Sequence, residues 1–351
     1  MIDIIHTRRE KVQQLLTQHR NYYTKQRLIK RMDKCKINIY DDLNDDFERY
    51  KKYSNFMLYL MFRIEDIISG EPSLLDVIVT EIKTEFGDLP YSAPKNSKEK
   101  KSSLCDALQY IFDYDGFCKA KTWGAYSLVR GLQVMVCPYC NCQYTPTVET
   151  EAGRVRPTLD HFYDKGTYPF LALSFFNLIP SCYACNSSLK NTKSFSVRTH
   201  IHPYIEGFDD YMRFTVKFKE HENSKDQEVS VDYTQILNLN TEVFEIDFKP
   251  SEGKKGERFF ENAERNIIDF KLREIYNLHK DYVAEILLKS EIYNDGFIKM
   301  IQDTFPNLFS SKEEILRMIT SNYIELDDLE KRTLAKLTRD IAHEFGLIKQ
   351  I

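Results

Sequence analysis

The sequence predicts an α+β protein that is mainly α-helical, with a small β-containing module near its middle gathered around cysteines. Three observations carry this expectation. Apolar residues recur at three- and four-residue spacing over 1–87 and again from about 259 onward. Short stretches such as MRFTVKFKE alternate with a period of two. Two Cys-x2-Cys pairs, Cys137/Cys140 and Cys182/Cys185, bracket a 41-residue segment between the helical parts. A chain of 351 residues is long enough for two or three domains. The pattern divides it into a helical region 1–130, a central module 131–205, and a β-hairpin followed by helices over 206–351.

The N-terminal region reads as helices in VQQLL, FMLYLMFRIEDII and LLDVIVTEI. Its segment 8–36 carries ten basic residues (Arg8, Arg9, Lys11, Arg20, Lys25, Arg27, Lys30, Arg31, Lys34, Lys36) against Glu10 and Asp33. Such a run is either a solvated helix face or a phosphate-contacting surface. Residues 88–103, DLPYSAPKNSKEKKSS, are polar with two prolines and read as a linker or exposed loop. LCDALQYIFDY and WGAYSLVRGLQV then predict two short helices leading into the cysteines. Beyond the module, MRFTVKFKE and EVSVDYTQI predict a hairpin turning at HENSKDQ. Ile268, Leu272, Ile275, Tyr282 and Ile286 mark one face of a long helix, and Leu334, Leu337, Ile341 and Phe345 mark a last one that Gly346 can cap.

Composition narrows the function. A net charge of −4 excludes a global polybasic field, so any nucleic-acid partner must meet a local patch. No stretch approaches the ~20 apolar residues that span a bilayer, and MIDIIHTRRE lacks a signal-peptide layout, so a cytoplasmic protein without a membrane partner is expected. Thiols stay reduced in that compartment. Five of the eight cysteines nevertheless fall between 137 and 185.

A two-residue gap lets both thiolates of a knuckle reach one tetrahedral ion, and two knuckles complete the closed shell of a structural zinc. Cys137, Cys140, Cys182 and Cys185 are the expected ligands, with Cys142 outside the spacing. The 41 residues between the knuckles exceed the usual finger spacer, so something must fold there. A redox Cys-x-x-Cys needs only one pair.

The intervening chain reads RPTLDHFYDKGTYPFLALSFFNLIPSCYACNSSLKN. Adjacent strand residues point to opposite faces, so in Asp160-His161 one side chain can bind a hard ion while a neutral imidazole does general-base work. Asn186 follows the second knuckle at the start of a short helix, either as an oxygen ligand or as an N-cap. Asn177 is a turn residue bonding backbone.

The string Cys-x2-Cys … Asp-His … Asn … Cys-x2-Cys-Asn resembles the HNH (ββα-metal) endonucleases, in their zinc-stabilised four-cysteine subgroup, over about residues 134–192. The resemblance implies two strands and a helix holding one catalytic divalent ion. It makes Asp160 the first metal ligand, His161 the general base, Asn177 the loop-fixing asparagine and Asn186 the last metal ligand. Many members have histidine there; asparagine shifts the preference to Mg²⁺ or Mn²⁺. Hydrolysis would leave 5′-phosphate and 3′-hydroxyl ends, with DNA favoured over RNA. More loosely, IFDYDGF, WGAYSL, VCPYCN, HPYIEGF and KLTRDI resemble bacterial anti-phage defence proteins of this family, some of which work beside an ATPase partner.

Residues 152–198 hold six basic residues (Arg154, Arg156, Lys165, Lys190, Lys193, Arg198) against Asp160 and Asp164, a local basic excess suited to backbone phosphates. Lys165 and Lys190 are the candidate substrate contacts. His200, His202, His279 and Trp123 are expected to be structural. An RNase with the same site and a non-catalytic zinc-knuckle adaptor are the competing functions.

Overall fold

The computed structural model describes residues 1–42, 47–94, 102–219, 235, 238–251 and 255–348, and its strands form three separate two-stranded antiparallel sheets. It is α+β and mainly helical. The chain forms two compact units that do not follow chain order: one of Ile4–Val134 with Thr145–Glu206, the other of Met1–Asp3, Met135–Tyr144 and Gly207–Ile351. The helical region 1–130, set apart by the sequence pattern, thus falls almost wholly into one unit with the segment after the first knuckle.

In the first unit, α1 (Arg9–Tyr22), α2 (Lys25–Asp42), α3 (Phe47–Phe62), α4 (Ile64–Ser69) and α5 (Pro72–Phe86) bury the apolar stripes expected of them. In α5 the buried Leu75, Ile78, Val79, Ile82 and Phe86 follow the helical period, and Pro72 opens the helix where its missing N–H is harmless. FMLYLMFRIEDII is two helices, breaking at Arg63. Helices α6 (Ser103–Ile111) and α7 (Tyr114–Lys119) are capped by Ser102 accepting from the Cys105 N–H and Asp113 accepting from the Gly116 N–H. α8 (Ala125–Leu132) approaches α1 so closely that a Cβ on Gly131 would lie 2.3 Å from Leu15 Cδ2.

Several cations of the basic run have internal work. Arg31 donates to the carbonyls of Tyr110 and Ile111, the Arg27 guanidinium lies 4.2 Å from the Tyr22 ring centroid, and Arg20 pairs with Glu65. Lys36 and the middle of the polar stretch 88–103 lie outside the residues whose side chains are described. A small hairpin, β1 (Val148–Thr150) with β2 (Gly153–Val155), precedes β3 (Thr158–His161), which pairs with β4 (Leu178–Ser181).

In the second unit, β5 (Met212–Phe218) pairs along its length with β6 (Phe244–Pro250), from Met212↔Pro250 to Phe218↔Phe244. MRFTVKF, 212–218, is a strand as expected, while Glu220, the anticipated partner EVSVDYTQI and the turn HENSKDQ lie, but for Gln235, outside the described residues. Alternate side chains Met212, Phe214, Val216, Phe244, Ile246 and Phe248 are buried.

The long helix expected over 268–286 is corrected to three shorter ones: α9 (Glu257–Asp269), α10 (Leu272–Tyr276) and α11 (Lys280–Ile292). Lys271 adopts the left-handed conformation (φ 51°) between α9 and α10, so the helix does not continue, and Ile268 lies on an outward face of α9 at 54% exposure. α12 (Asp295–Thr304) and α13 (Lys312–Thr320) follow. α14 (Ala335–Glu344) buries Leu337 and Ile341 and is followed by Gly346 at φ +76°, the role expected of it. Among the described residues no helix is long and apolar enough to cross a membrane.

Candidate active site and metal centre

The register of β3 and β4 sets Asp160 opposite Ile179 and His161 opposite Leu178. Both strands are almost wholly buried. Directly after β4 and Cys182 the chain winds into a π-helical turn, Ala184–Lys190, in which the Asn191 N–H reaches the Asn186 carbonyl. The sequence pointed to a short helix here; its wider pitch is the tertiary detail. β3 and this turn face a cleft of about 400 Å³, lined among others by Asp160, His161, Asn186 and Lys190. Strand alternation would separate Asp160 from His161, but His161 is the last residue of β3, where the pairing ends, and both line the cleft.

The loop joining the strands is tied by Asn177, fully buried. Its Oδ1 accepts the Tyr163 N–H at 2.7 Å, and its Nδ2 donates to the carbonyls of Tyr163 and Leu171, each at 3.0 Å. That loop presents the Ala172 carbonyl to His161 Nε2 at 3.1 Å. A carbonyl only accepts, so Nε2 carries the proton and Nδ1 keeps the lone pair. The next carbonyl, of Leu173, takes a hydrogen bond from His19 Nε2 at 2.7 Å, while His19 Nδ1 accepts from Trp123 Nε1 at 3.1 Å. His19, itself held by Trp123, thereby braces the same loop from α1. Burial pushes the His161 pKa down to about 3, helped by the nearby charges of Lys165 and Lys190 and opposed by the Ala172 hydrogen bond.

Lys190 is not a solvated lysine. Only 1% exposed, its Nζ donates to Asp160 Oδ1 at 3.1 Å and to the His161 carbonyl at 2.7 Å. Lys165 also lines the cleft, its Nζ 4.3 Å from the centroid of the Tyr114 ring. Tyr114 meets the His161 ring edge-on at 4.4 Å, and burial raises its phenol pKa. Arg156 donates to the Pro157 carbonyl and the Cys118 sulfur at the same cleft. Asp164 turns its Oδ2 to the Thr167 N–H and hydroxyl. Tyr114 escaped the sequence analysis, and Arg156 entered it only as part of the basic excess: no spacing rule connects α7, or the residue before Pro157, to a cleft formed beside β3 and the turn that follows Cys182. Arg198, counted in the basic excess, is paired with Asp76 at 2.5 Å.

Cys137, Cys140, Cys182 and Cys185 are buried, and their sulfurs lie within 4.8 Å of one another. Four thiolates this close can hold a metal ion; at about 2.3 Å from a tetrahedral zinc they would sit about 3.8 Å apart. Backbone N–H groups of Cys142 and Cys185 point at the sulfurs of Cys140 and Cys182, each at 3.4 Å, as suits thiolate acceptors. Cys142 is outside the cluster. His200 stacks on Phe195 at 3.6 Å and His202 packs 4.1 Å from Phe162, both as structural residues. Among the described residues, this is the one place where three or more histidine, cysteine or carboxylate side chains gather closely enough for an ion. No protein-family model matches the chain, and no curated protein or solved structure matches it.

Proposed function

We propose that the cleft is the active site of an HNH-type, metal-dependent endonuclease that hydrolyses phosphodiester bonds, DNA foremost, with a structural zinc on the four cysteines. One observation carries the reading. His161, held by a backbone carbonyl in the tautomer that leaves Nδ1 basic, shares a basic-rimmed cleft with a carboxylate and a carboxamide, Asp160 and Asn186. A zinc scaffold alone has no need of that trio.

The donor set fits a hard divalent ion such as Mg²⁺ or Mn²⁺: Asp160 and Asn186 offer oxygens. Such an ion, when bound, supplies Lewis-acid stabilisation of charge on the phosphate. The rest falls to the chain itself. His161 accepts at Nδ1 the proton of the water that attacks phosphorus. Its depressed pKa keeps it unprotonated at neutral pH, and the negative charge of a phosphodiester in the cleft raises its basicity toward the range a general base needs. Asn177 and His19 keep the Ala172 carbonyl on Nε2. Arg156 and Lys165 bring positive charge to the substrate backbone, contacts that carry no base sequence.

The test is incubation of the full chain with plasmid, single-stranded DNA and total RNA, with and without Mn²⁺, beside His161→Ala. Mn²⁺-dependent cleavage of DNA, lost in His161→Ala with zinc content unchanged, is the expected result. Cleavage of RNA alone would make the protein an RNase. A His161→Ala variant that cuts at the wild-type rate removes the assigned base, and no cleavage of any substrate by the wild type leaves the adaptor reading.

A further inference from the structure

We propose that Lys190 acts as an internal counter-ion that makes divalent-metal binding at this cleft conditional on an anionic phosphodiester, so that ion and nucleic acid are taken up together. The inference rests on the nuclease reading for the identity of the ion and the anion. Its geometry is independent of it.

Lys190 and Asp160 form an ion pair whose side chains are 1% and 2% exposed. Burying two charges is expensive, and an apolar pair of similar volume is often at least as stable, so such a pair is weak evidence for a stabilising role. Its placement suggests another role, because Asp160 is the one carboxylate among the proposed ion ligands and its Oδ1 is already engaged by an ammonium at 3.1 Å.

The charges around the cleft point the same way. Arg156, Lys165 and Lys190 are positive, Asp160 and Asp164 negative, leaving one positive charge in excess. Asp164 is committed to Thr167 within its own loop. Affinity for a hard dication follows the number of charged oxygen ligands. A compensated carboxylate and a neutral carboxamide are a poor set for an ion arriving alone. A phosphodiester brings the missing negative charge together with oxygens that can share the ion. By linkage, whatever factor the nucleic acid adds to metal affinity, the metal adds to nucleic-acid affinity.

Two consequences separate this role from simple packing. Lys190→Met keeps the length and removes the charge, so Asp160 loses its ammonium and the cleft binds cations more strongly in the absence of nucleic acid. Lys190→Arg keeps the charge and the wild-type dependence. A lysine that merely fills space would leave metal affinity unmoved in both.

The experiment uses the zinc-loaded full chain carrying His161→Ala, so that nucleic acid is not consumed. Mn²⁺ binding to the protein alone is followed by electron paramagnetic resonance, and binding of a short fluorescent DNA duplex by anisotropy with and without Mn²⁺. Expected are weak Mn²⁺ binding to the protein alone and duplex affinity raised at least about tenfold by Mn²⁺. When Lys190→Met is added, Mn²⁺ binding without DNA should tighten by about tenfold or more and the DNA–metal coupling should shrink. Duplex affinity indifferent to Mn²⁺ overturns the proposal, as does an Mn²⁺ affinity that Lys190→Met leaves unchanged. If Lys190→Met does not fold, the coupling measured with Lys190 intact decides alone. Failure of the nuclease reading shows differently: the wild type then cuts nothing, whereas a cutting enzyme that binds Mn²⁺ tightly without DNA refutes only this inference.

Discussion

Replacing Asn177 with alanine removes three hydrogen bonds from a site with no exposure to water. The Tyr163 N–H loses its 2.7 Å acceptor, and the carbonyls of Tyr163 and Leu171 lose donors at 3.0 Å. Each buried group left unsatisfied costs roughly 1–3 kcal/mol. The three share one side chain and water can enter the space it vacates, so the losses do not add fully; about 4 kcal/mol for the loop is the expected total. The chain forms two compact units, so a single melting temperature is a blunt measure. Hydrogen exchange across 162–177 reads the loop itself. At ~1.4 kcal/mol per decade, protection of the Tyr163 amide should fall by about two to three orders of magnitude. Asn177→Asp should be no milder, because it keeps the acceptor but sets a carboxylate against two carbonyls. The Ala172 carbonyl that orients His161 lies in this loop, so cleavage should fall well below the folded fraction. A Tyr163 amide that exchanges at the wild-type rate in Asn177→Ala would show that something else holds the loop, and the account of His161's orientation would go with it.

Cys182→Ser should reduce bound zinc from about one per chain to none by plasma emission, and expose the surrounding segment to proteolysis, since metal binding and local folding are one free energy; a variant that keeps its zinc and its protease resistance removes Cys182 from the ligand set. His19 gives a pH signature. Burial depresses its pKa from 6.5 to about 4, so on acidification the unfolded chain takes up the proton first. The stability due to neutral His19 is complete above its unfolded pKa of about 6.5 and is lost as pH falls toward about 4, roughly 3 kcal/mol in all. His19→Gln, which retains an acceptor for Trp123 and a donor for Leu173, should flatten the urea-stability profile between about pH 7 and 5. An unchanged slope would show that His19 is not buried neutral.

The two knuckles were legible in the sequence because metal-ligand spacing is a property of a few consecutive residues, and their four sulfurs do converge. Asp160, His161 and Asn186 could be singled out by chemical type, and they line one cleft. Lys190 was harder. Four residues after Asn186 it read equally as a substrate contact or a solvated helix position, and a short-range pattern cannot register a buried carboxylate thirty residues back. The long helix failed for a related reason. Its apolar spacing runs through Lys271, but the chain takes a left-handed turn there, which apolar spacing does not register.

By itself, then, the sequence determined most of the helical segments, the strand β5 and where the thiolate pairs lie, because those properties are local. Tertiary structure alone decided that Tyr114 and Arg156 face the same cleft, that His19 braces the loop orienting His161, and that a lysine pairs with Asp160. Each of these is a contact between residues distant in the chain, set by which surfaces bury each other, and no period along the sequence encodes it.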